Sequence, residues 1–330
     1  WFWNGGGVIG RYSDVPEKFP NVESSHTFRV NHPSGWFYTT KALRQLCDVW
    51  EKYGSGMTNF HGSTGDIILL GAPTANLQPC FDALSDIGFD LGGLGRSCEL
   101  RTGCVGPARC EYACIDTLAI IYDLTMEFQD ELHRPRWPYK SKIKAPGCPD
   151  GCVAIITRSD FTIIGTCRDN LRIDQAAVRE YVKSGFDIKT IVIDKCPTRC
   201  LGVDDKAAEL RLKPEDCVRC MHCINKMPPA ERTGVLIEAP LSLVAKRPLV
   251  KGAYLSWVLV PFMKMEPPYT EYKELVRKAW DWWDEYGRTR ERIAELIERL
   301  GLKTFLRAMG LKPVPQMVYR PRANPYVFFD

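Results

Sequence analysis

Apolar and polar positions change period several times along this chain, and each change predicts an element. Between 39 and 54, TTKALRQLCDVWEKYG places Leu43, Leu46, Cys47 and Trp50 at three- and four-residue intervals. That spacing predicts an amphipathic helix, capped by Thr39 or Thr40 and stopped at Gly54. HTFRV at 26 to 30 reads as a short strand, DIILLG at 66 to 71 as a buried strand, and LQPCFDALSDIG at 77 to 88 as a second helix. Strand and helix alternating over so short a stretch predict one α+β unit.

Further on, the periodic segments are interrupted by cysteines. Cysteine-bearing stretches at 98 to 114 and 147 to 152 flank a helix predicted over 116 to 132 and a lysine-bearing strand, YKSKIK. CVAIITRSDFTIIGT at 152 to 166 reads as two strands around a turn, and 187 to 240 as an inserted small domain with its own cysteines. From 269 to 310 the pattern is strongly helical, with stops near Gly301 and Gly310. The first 26 residues, rich in Gly and Pro, read as a loop or arm, and no repeat or low-complexity tract is present.

Composition narrows the class. A chain of 330 residues with 45% hydrophobic and 25% charged residues can bury a large core in two or three domains. No apolar run is long enough for a membrane-spanning helix, so a soluble, cytoplasmic protein is expected. It opens Trp1-Phe2-Trp3-Asn4 without Met or a leader, so it reads as a fragment whose natural start lies upstream. The net charge is +4, with basic residues scattered rather than massed, which disfavours nucleic acid and suits a small anion. Fourteen cysteines, clustered, favour metal ligation in a reducing compartment.

Two thiol constellations carry the chemistry. CVRCMHCINKMP sets Cys217, Cys220 and Cys223 at CxxCxxC, with Met227 where a ferredoxin would place its fourth cysteine. In two-cluster ferredoxins the cysteine preceding proline serves the partner cluster, so Cys196 of KCPTRC is the candidate fourth ligand and Cys200 the alternative. Four thiolates also suit zinc, but zinc sites present two separated CxxC pairs, whereas this spacing fits a 4Fe-4S cluster. The second constellation joins Cys104 and Cys110 of GCVGPARC to Cys148 and Cys152 of GCPDGC. Four thiolates beside glycines can hold a second 4Fe-4S cluster. The remaining Cys47, Cys80, Cys98, Cys114 and Cys167 read as small buried hydrophobes, His222 as a loop residue, and Trp280, Trp282 and Trp283 as packing surface.

Lys140, Lys142 and Lys144 recur at period two, so in a strand they share one face leading into Cys148. Three like charges on one face need solvent or an anion. A solvated edge face is the bland alternative.

The paired cysteine motifs resemble those of the sulfite and nitrite reductases. GGGVIGRYSD, RVNHPSGWFYTT, TNFHGSTGDIILLG, CVGPARCEYAC, DLTMEFQDELHRP, CVRCMHCINKMP and RANPY are similar to the dissimilatory sulfite reductase alpha-subunit family along essentially the whole chain. The resemblance implies an α+β fold: a truncated arm at 1–26, a ferredoxin-like half-domain at 27–100, and a siroheme and 4Fe-4S α/β domain at 101–186 plus 241–265. It further implies an inserted ferredoxin domain at 187–240 and a helical C-terminal segment at 266–330. The implied cofactors are siroheme and two 4Fe-4S clusters, one coupled to the siroheme through a cysteine thiolate.

The implied reaction is six-electron reduction of sulfite toward sulfide, or its reverse, with electrons entering at the ferredoxin-type cluster. Arg29, Arg101, Lys142 and Lys144 match the family's substrate cations, Arg as a bidentate fork and Lys as a proton-donating point charge. In CELRTGCVGP, Arg101 stands nearer the first cysteine than the family's usual spacing. Thr58, Asn59, His61, Ser63 and Thr64 of the glycine-bearing TNFHGSTG loop, together with Lys140, are implied siroheme contacts, and Lys18, Arg109 and Arg168 are weaker candidates for its carboxylates. Implied partners are a homologous beta subunit, in a heterotetramer of two alpha and two beta chains, and a small sulfur carrier with C-terminal cysteines. Two alternatives stand beside this: an electron-transferring subunit whose own tetrapyrrole site is inactive, and an assimilatory sulfite or nitrite reductase, which the inserted cluster motif disfavours.

Overall fold

A computed structural model describes residues 6–31, 37–61, 66–93, 98–134, 136–149, 151–152, 159–167, 171–204, 209–227, 237–246 and 253–313. The expectations at Ser63, Thr64 and Arg168, the turn within 152–166 and the RANPY motif lie outside these residues. Side chains separate into three buried clusters, each gathered around its own strands or helices.

The first cluster belongs to an antiparallel sheet. Its strands are β1 (Val8–Arg11), β2 (Ser25–Asn31), β3 (Met57–His61) and β4 (Asp66–Ala72), ordered β1-β2-β4-β3, with β5 (Asp90–Leu91) added to β2. Phe28 and Val30 of β2 and Ile67 and Leu69 of β4 meet Leu46 and Trp50 of α1 (Thr40–Tyr53) and Leu84 of α2 (Leu77–Asp86). Thr39 is the cap of α1, its hydroxyl accepting the Ala42 N–H at 3.1 Å. Two expectations need correction here. Val8–Arg11 is a paired strand rather than loop, because it finds the open edge of β2. Cys47 is exposed, because α1 turns only Leu46 and Trp50 fully inward.

The chain then enters a second sheet through β6 (Cys98–Gly103), followed by α3 (Thr117–Glu127) and α4 (Gln129–His133). The single helix expected over 116–132 breaks at Phe128, which leaves helical dihedrals (φ −107°, ψ 38°) where its ring packs on Trp280 at 4.8 Å. β7 (Ser141–Ala145), β8 (Phe161–Ile163) and β9 (Thr166–Cys167) follow. β7 lies between β6 and β8 and is parallel to both, so it is an interior strand and not a solvated edge.

Next comes a small excursion with its own core. α5 (Gln175–Lys183), a single π-turn at 189–193, the β10 (Leu201–Asp204) and β11 (Glu209–Leu212) hairpin and α6 (His222–Lys226) pack around Val178, Val192, Leu210, Ile224 and Met227. This core takes in Leu171, Ile173 and Val178, upstream of residue 187. Met227, at 0% exposure, fills the position of the absent cysteine as a core side chain.

β12 (Ile237–Lys246) and β13 (Ala253–Met263) return to the second sheet, giving the order β13-β12-β8-β7-β6. Three helices close the described chain: α7 (Thr270–Tyr286), α8 (Ile293–Leu300) and α9 (Leu302–Met309). Stops occur at Gly301 and Gly310, and one further stop at Gly287 separates α7 from α8. Trp280, Trp282 and Trp283 pack inward in this core; Trp280 lies 4.5 Å from Trp137 and donates to Ser141 Oγ at 2.9 Å.

Candidate active site

Parallel strands bring the chemistry together. β6, β7 and β8 run in one direction, so their C-terminal ends open at one place, where open sheets hold ligands. β6 leads into Cys104, β7 into Gly147 and Cys148, and β8 into Gly165. The loops are knitted together: Gly147 N–H donates to Cys104 Sγ at 3.1 Å, Cys114 N–H to Gly147 O at 2.7 Å, and Gly165 N–H to Pro146 O at 3.0 Å.

Around that knot lies a concavity of about 210 Å³ whose walls include Cys104, Cys110, Cys148 and Cys152. All four predicted thiols of the second constellation therefore line one cavity. No three His, Cys, Asp or Glu side chains among the described residues converge closely enough to hold a single ion; the thiols ring a space instead. Close approach depends on absent side chains. A Cβ on Gly165 would collide with the Gly147 carbonyl, and one on Gly147 would lie 3.2 Å from Cys104 Sγ. Four soft donors around a hollow with a backbone N–H aimed at one sulfur fit a 4Fe-4S group, whose potential such N–H···S bonds tune.

The lysine strand runs straight into this cavity. Ser141, Ile143 and Ala145 face the aromatic core, and alternation turns Lys142 and Lys144 to the other face. Both are buried, Lys142 at 9% and Lys144 at 1% exposure. Lys140 precedes the strand, so it does not share its register; it is half-buried, with its ammonium 5.9 Å from the Tyr139 ring. Thr102 and Thr162 pair with Lys144 in the neighbouring strands, and Thr162 Oγ1 is buried without a hydrogen-bond partner. A buried cationic face with an unused hydroxyl suits a polar, anionic occupant.

Asp160 anchors this face. It is wholly buried, accepts the Lys142 N–H at 2.8 Å and is gripped by both arms of Arg292. Burial pushes its carboxyl above the ordinary value, against the pull of Arg292 and then Lys142. Arg101 lies in a β-bulge: Glu99 pairs with Lys142 and Thr102 with Lys144, so residues 100 and 101 together oppose Ile143. A bulge of this kind changes the aim of the strand beside a site.

Arg29 belongs to the first sheet. It shares a face of β2 with Thr27 and Asn31, and all three are buried. Its guanidinium is ion-paired with the fully buried Asp66 and donates to Gly93 O at 3.1 Å. Thr58 and Asn59 lie exposed on β3, an edge strand and not a loop, and His61 is the last residue of that strand. Lys18 and Arg109 are exposed.

The other constellation closes around a second, smaller pocket. Cys196, Cys200, Cys217, Cys220 and Cys223 all line it, so both proposed fourth ligands are present. Their sulfurs, Cys196 and Cys200, lie 3.5 Å apart. Burial pushes the Cys200 thiol up to about 12. Partial burial acts on Cys196 too, but the hydrogen bonds of Cys200 and then Thr198 hold it below the usual thiol value. Three non-glycine residues between these cysteines, Arg199, Arg219 and Met221, have φ of 52°, 57° and 70°. Such left-handed backbone is uncommon and concentrates at functional sites, where it curls N–H groups toward an anionic guest. His222 opens α6, rather than lying in a loop, and its Nε2 bonds Ile191 O at 2.9 Å.

Sequence reasoning missed Asp66, Asp160, Thr162 and Arg292. An acid at the head of an apolar run, as in DIILLG and in SDFTII, was the available signal for the two aspartates.

Comparison with known proteins gives concordant results. Residues 100–316 match the nitrite and sulphite reductase 4Fe-4S domain, and residues 20–87 the nitrite/sulfite reductase ferredoxin-like half domain. The chain is 49% identical to the alpha subunit of dissimilatory-type sulfite reductase from Nitratidesulfovibrio vulgaris, covering 99% of this chain and 78% of that one. It is 44% identical to the corresponding subunit from Allochromatium vinosum, over 100% and 80% of the two chains. The crystal structure of dissimilatory sulfite reductase I superposes with a TM-score of 0.83 at 45% identity, over 100% of this chain and 79% of that one.

Proposed function

This chain belongs to the dissimilatory-type sulfite reductase alpha-subunit family, an oxidoreductase family, and on that footing we propose that it binds and reduces sulfite at a siroheme coupled to a 4Fe-4S cluster. The observation that supports this reading is that the strand carrying Lys142 and Lys144, both buried, leads through Pro146 and Gly147 into the wall of the four-thiol cavity. Two buried cations on a strand that leads to a thiol-lined cavity suit sulfite, an oxyanion whose oxygens need both charge and protons.

In this reading Cys104, Cys110, Cys148 and Cys152 would hold the cluster beside the siroheme, and Cys196, Cys217, Cys220 and Cys223 would hold a ferredoxin-type 4Fe-4S cluster whose chemistry is electron transfer. When bound, the siroheme and clusters would relay six electrons from an external electron-donor protein and offer an iron to the substrate's sulfur. The chain's residues do the rest. Lys142 and Lys144 compensate the substrate's charge and lend protons to leaving oxygens; Arg101 and Arg29 complete the cationic wall, with Arg29 oriented by Asp66. Thr58, Asn59, His61, Ser63, Thr64 and Lys140 contribute donors to the tetrapyrrole and its carboxylates. The partners are a homologous beta subunit in a heterotetramer and a small sulfur carrier with C-terminal cysteines. The working compartment is the reducing cytoplasm, where these thiols remain unoxidised.

Anaerobic purification followed by iron, sulfide and tetrapyrrole counts tests the cofactor load, expected at about eight cluster irons per chain. The substrate role is tested with Lys144→Met. It should keep that load and lose sulfite-induced changes in the visible spectrum. A variant that titrates with sulfite as the wild type does would overturn the assignment.

A further inference from the structure

Five thiols line the smaller pocket, Cys196, Cys200, Cys217, Cys220 and Cys223, whereas a 4Fe-4S cluster takes four. Three of the five belong to the CxxCxxC run, so the surplus thiol lies in CPTRC at 196–200. The local backbone explains why both cysteines of that stretch arrive at the pocket. Arg199 N–H donates to Cys196 O at 3.1 Å, closing a turn, and Arg199 itself is left-handed, with φ 52°. The reversal returns residue 200 to the side of residue 196, and the two sulfurs stand 3.5 Å apart.

Both main chains are pinned independently of their sulfurs. Cys196 N–H donates to Ile193 O at 3.0 Å, and Lys213 N–H donates to Cys200 O at 2.8 Å, which ties the second cysteine to the base of the β10–β11 hairpin. One side-chain torsion places a cysteine sulfur, so either Sγ can change rotamer while its backbone stays fixed. The settings differ: Cys200 is 4% exposed within the core of the excursion, and Cys196 is only half-buried against it.

Taking the ferredoxin-type cluster of the proposed function as given, we propose that Cys200 is a reserve ligand: Cys196 holds the iron that CxxCxxC leaves uncovered, and Cys200 takes that iron when Cys196 is lost. Adjacency confines the reserve to one corner of the cluster, since Cys200 stands beside the thiol that it replaces. The exchange substitutes one iron–thiolate bond for another. Cys200 gives its proton to solvent on binding, and no electron changes hands. A second soft donor already inside the pocket makes the new bond without rebuilding the loop.

The test uses the holoenzyme purified anaerobically, with acid-labile sulfide and low-temperature paramagnetic resonance of the reduced protein as readouts. Loads are read per chain as differences from the native protein. Cys196→Ala should keep the native sulfide, with the ferredoxin-type signal shifted because one ligand has changed. Cys200→Ala should keep both the sulfide and the native signal. Cys196→Ala with Cys200→Ala should lose about four sulfides. Loss of about four in either single variant overturns the proposal, and so does a double variant with the native load. If Cys196→Ala does not accumulate, Cys196→Ser takes its place: adding Cys200→Ala should change its signal or its load, and no change in either overturns the proposal equally. Cys220→Ala with Cys200→Ala separates the two levels. If that pair keeps the native load, the ferredoxin cluster itself is what fails; if it loses about four sulfides and Cys196→Ala does too, the reserve role alone fails.

Discussion

Asp66→Asn is the sharpest perturbation of the first sheet. Asp66 is 0% and Arg29 4% exposed at the side chain, and the two form an ion pair reinforced by the Gly93 carbonyl. Asparagine keeps the shape and one acceptor but leaves a guanidinium buried without its counter-charge. Breaking a buried pair from one side costs about 3–5 kcal/mol. The retained acceptor places this variant near ~3 kcal/mol. At about 1.4 kcal/mol per factor of ten, amides of β2 and β4 that exchange by local opening should exchange on the order of a hundredfold faster. Native-state hydrogen exchange read by mass spectrometry on peptides spanning 25–31 and 66–72 measures this directly. Arg29→Met with Asp66→Leu removes both charges and should return exchange to within about tenfold of native, because an apolar pair of similar volume is near neutral. The same double variant should lose sulfite binding, separating the stabilising role of the pair from the substrate role proposed for Arg29. Exchange within about threefold of native in Asp66→Asn, or a double variant no slower than the single, would refute the reasoning.

Three further outcomes follow from other parts of the molecule. Cys220→Ser should lose about four irons per chain while siroheme is retained, and unchanged iron content by plasma emission would contradict the ferredoxin assignment. Gly165→Ala has no room beside the Gly147 carbonyl, so it should lose the cluster proposed at Cys104 and its neighbours while keeping the proposed ferredoxin-type signal in low-temperature paramagnetic resonance. Alkylation of the native protein should modify Cys47, which is exposed, and spare Cys80, which burial both hides and pushes to about 11; equal labelling in a tryptic map would count against this packing.

Local sequence carried the elements whose residues speak for themselves. The period of α1, its threonine cap and the glycine stops at 301 and 310 are backbone effects of single residues, and they were legible. The cysteine spacing within each motif was legible too, because it is a local feature, and the structure brings the motifs together around two cavities. What stayed hidden needed a partner distant in sequence. Whether YKSKIK is an edge or an interior strand depends on β6 and β8, which flank it only after the chain has crossed over twice. The exposure of Cys47 depends on which side of α1 meets the sheet. Phe128 breaks a helix of good formers where its ring meets Trp280, a residue 152 positions later. The bonds of Asp160 span 18 residues to Lys142 and 132 to Arg292, and no window along the chain contains all three.

The short stretch 110–114 has a double membership. Its first residue, Cys110, lines the larger thiol cavity, while Tyr112 and Cys114 pack against the core of the excursion that carries the other thiols. Cys114 is also tied by its N–H to Gly147 on the larger cavity's wall. One strip of backbone therefore joins the wall of the larger cysteine-lined cavity to the core that carries the other thiols. If the two cavities hold the proposed clusters, this strip is a direct covalent and hydrogen-bonded link between them.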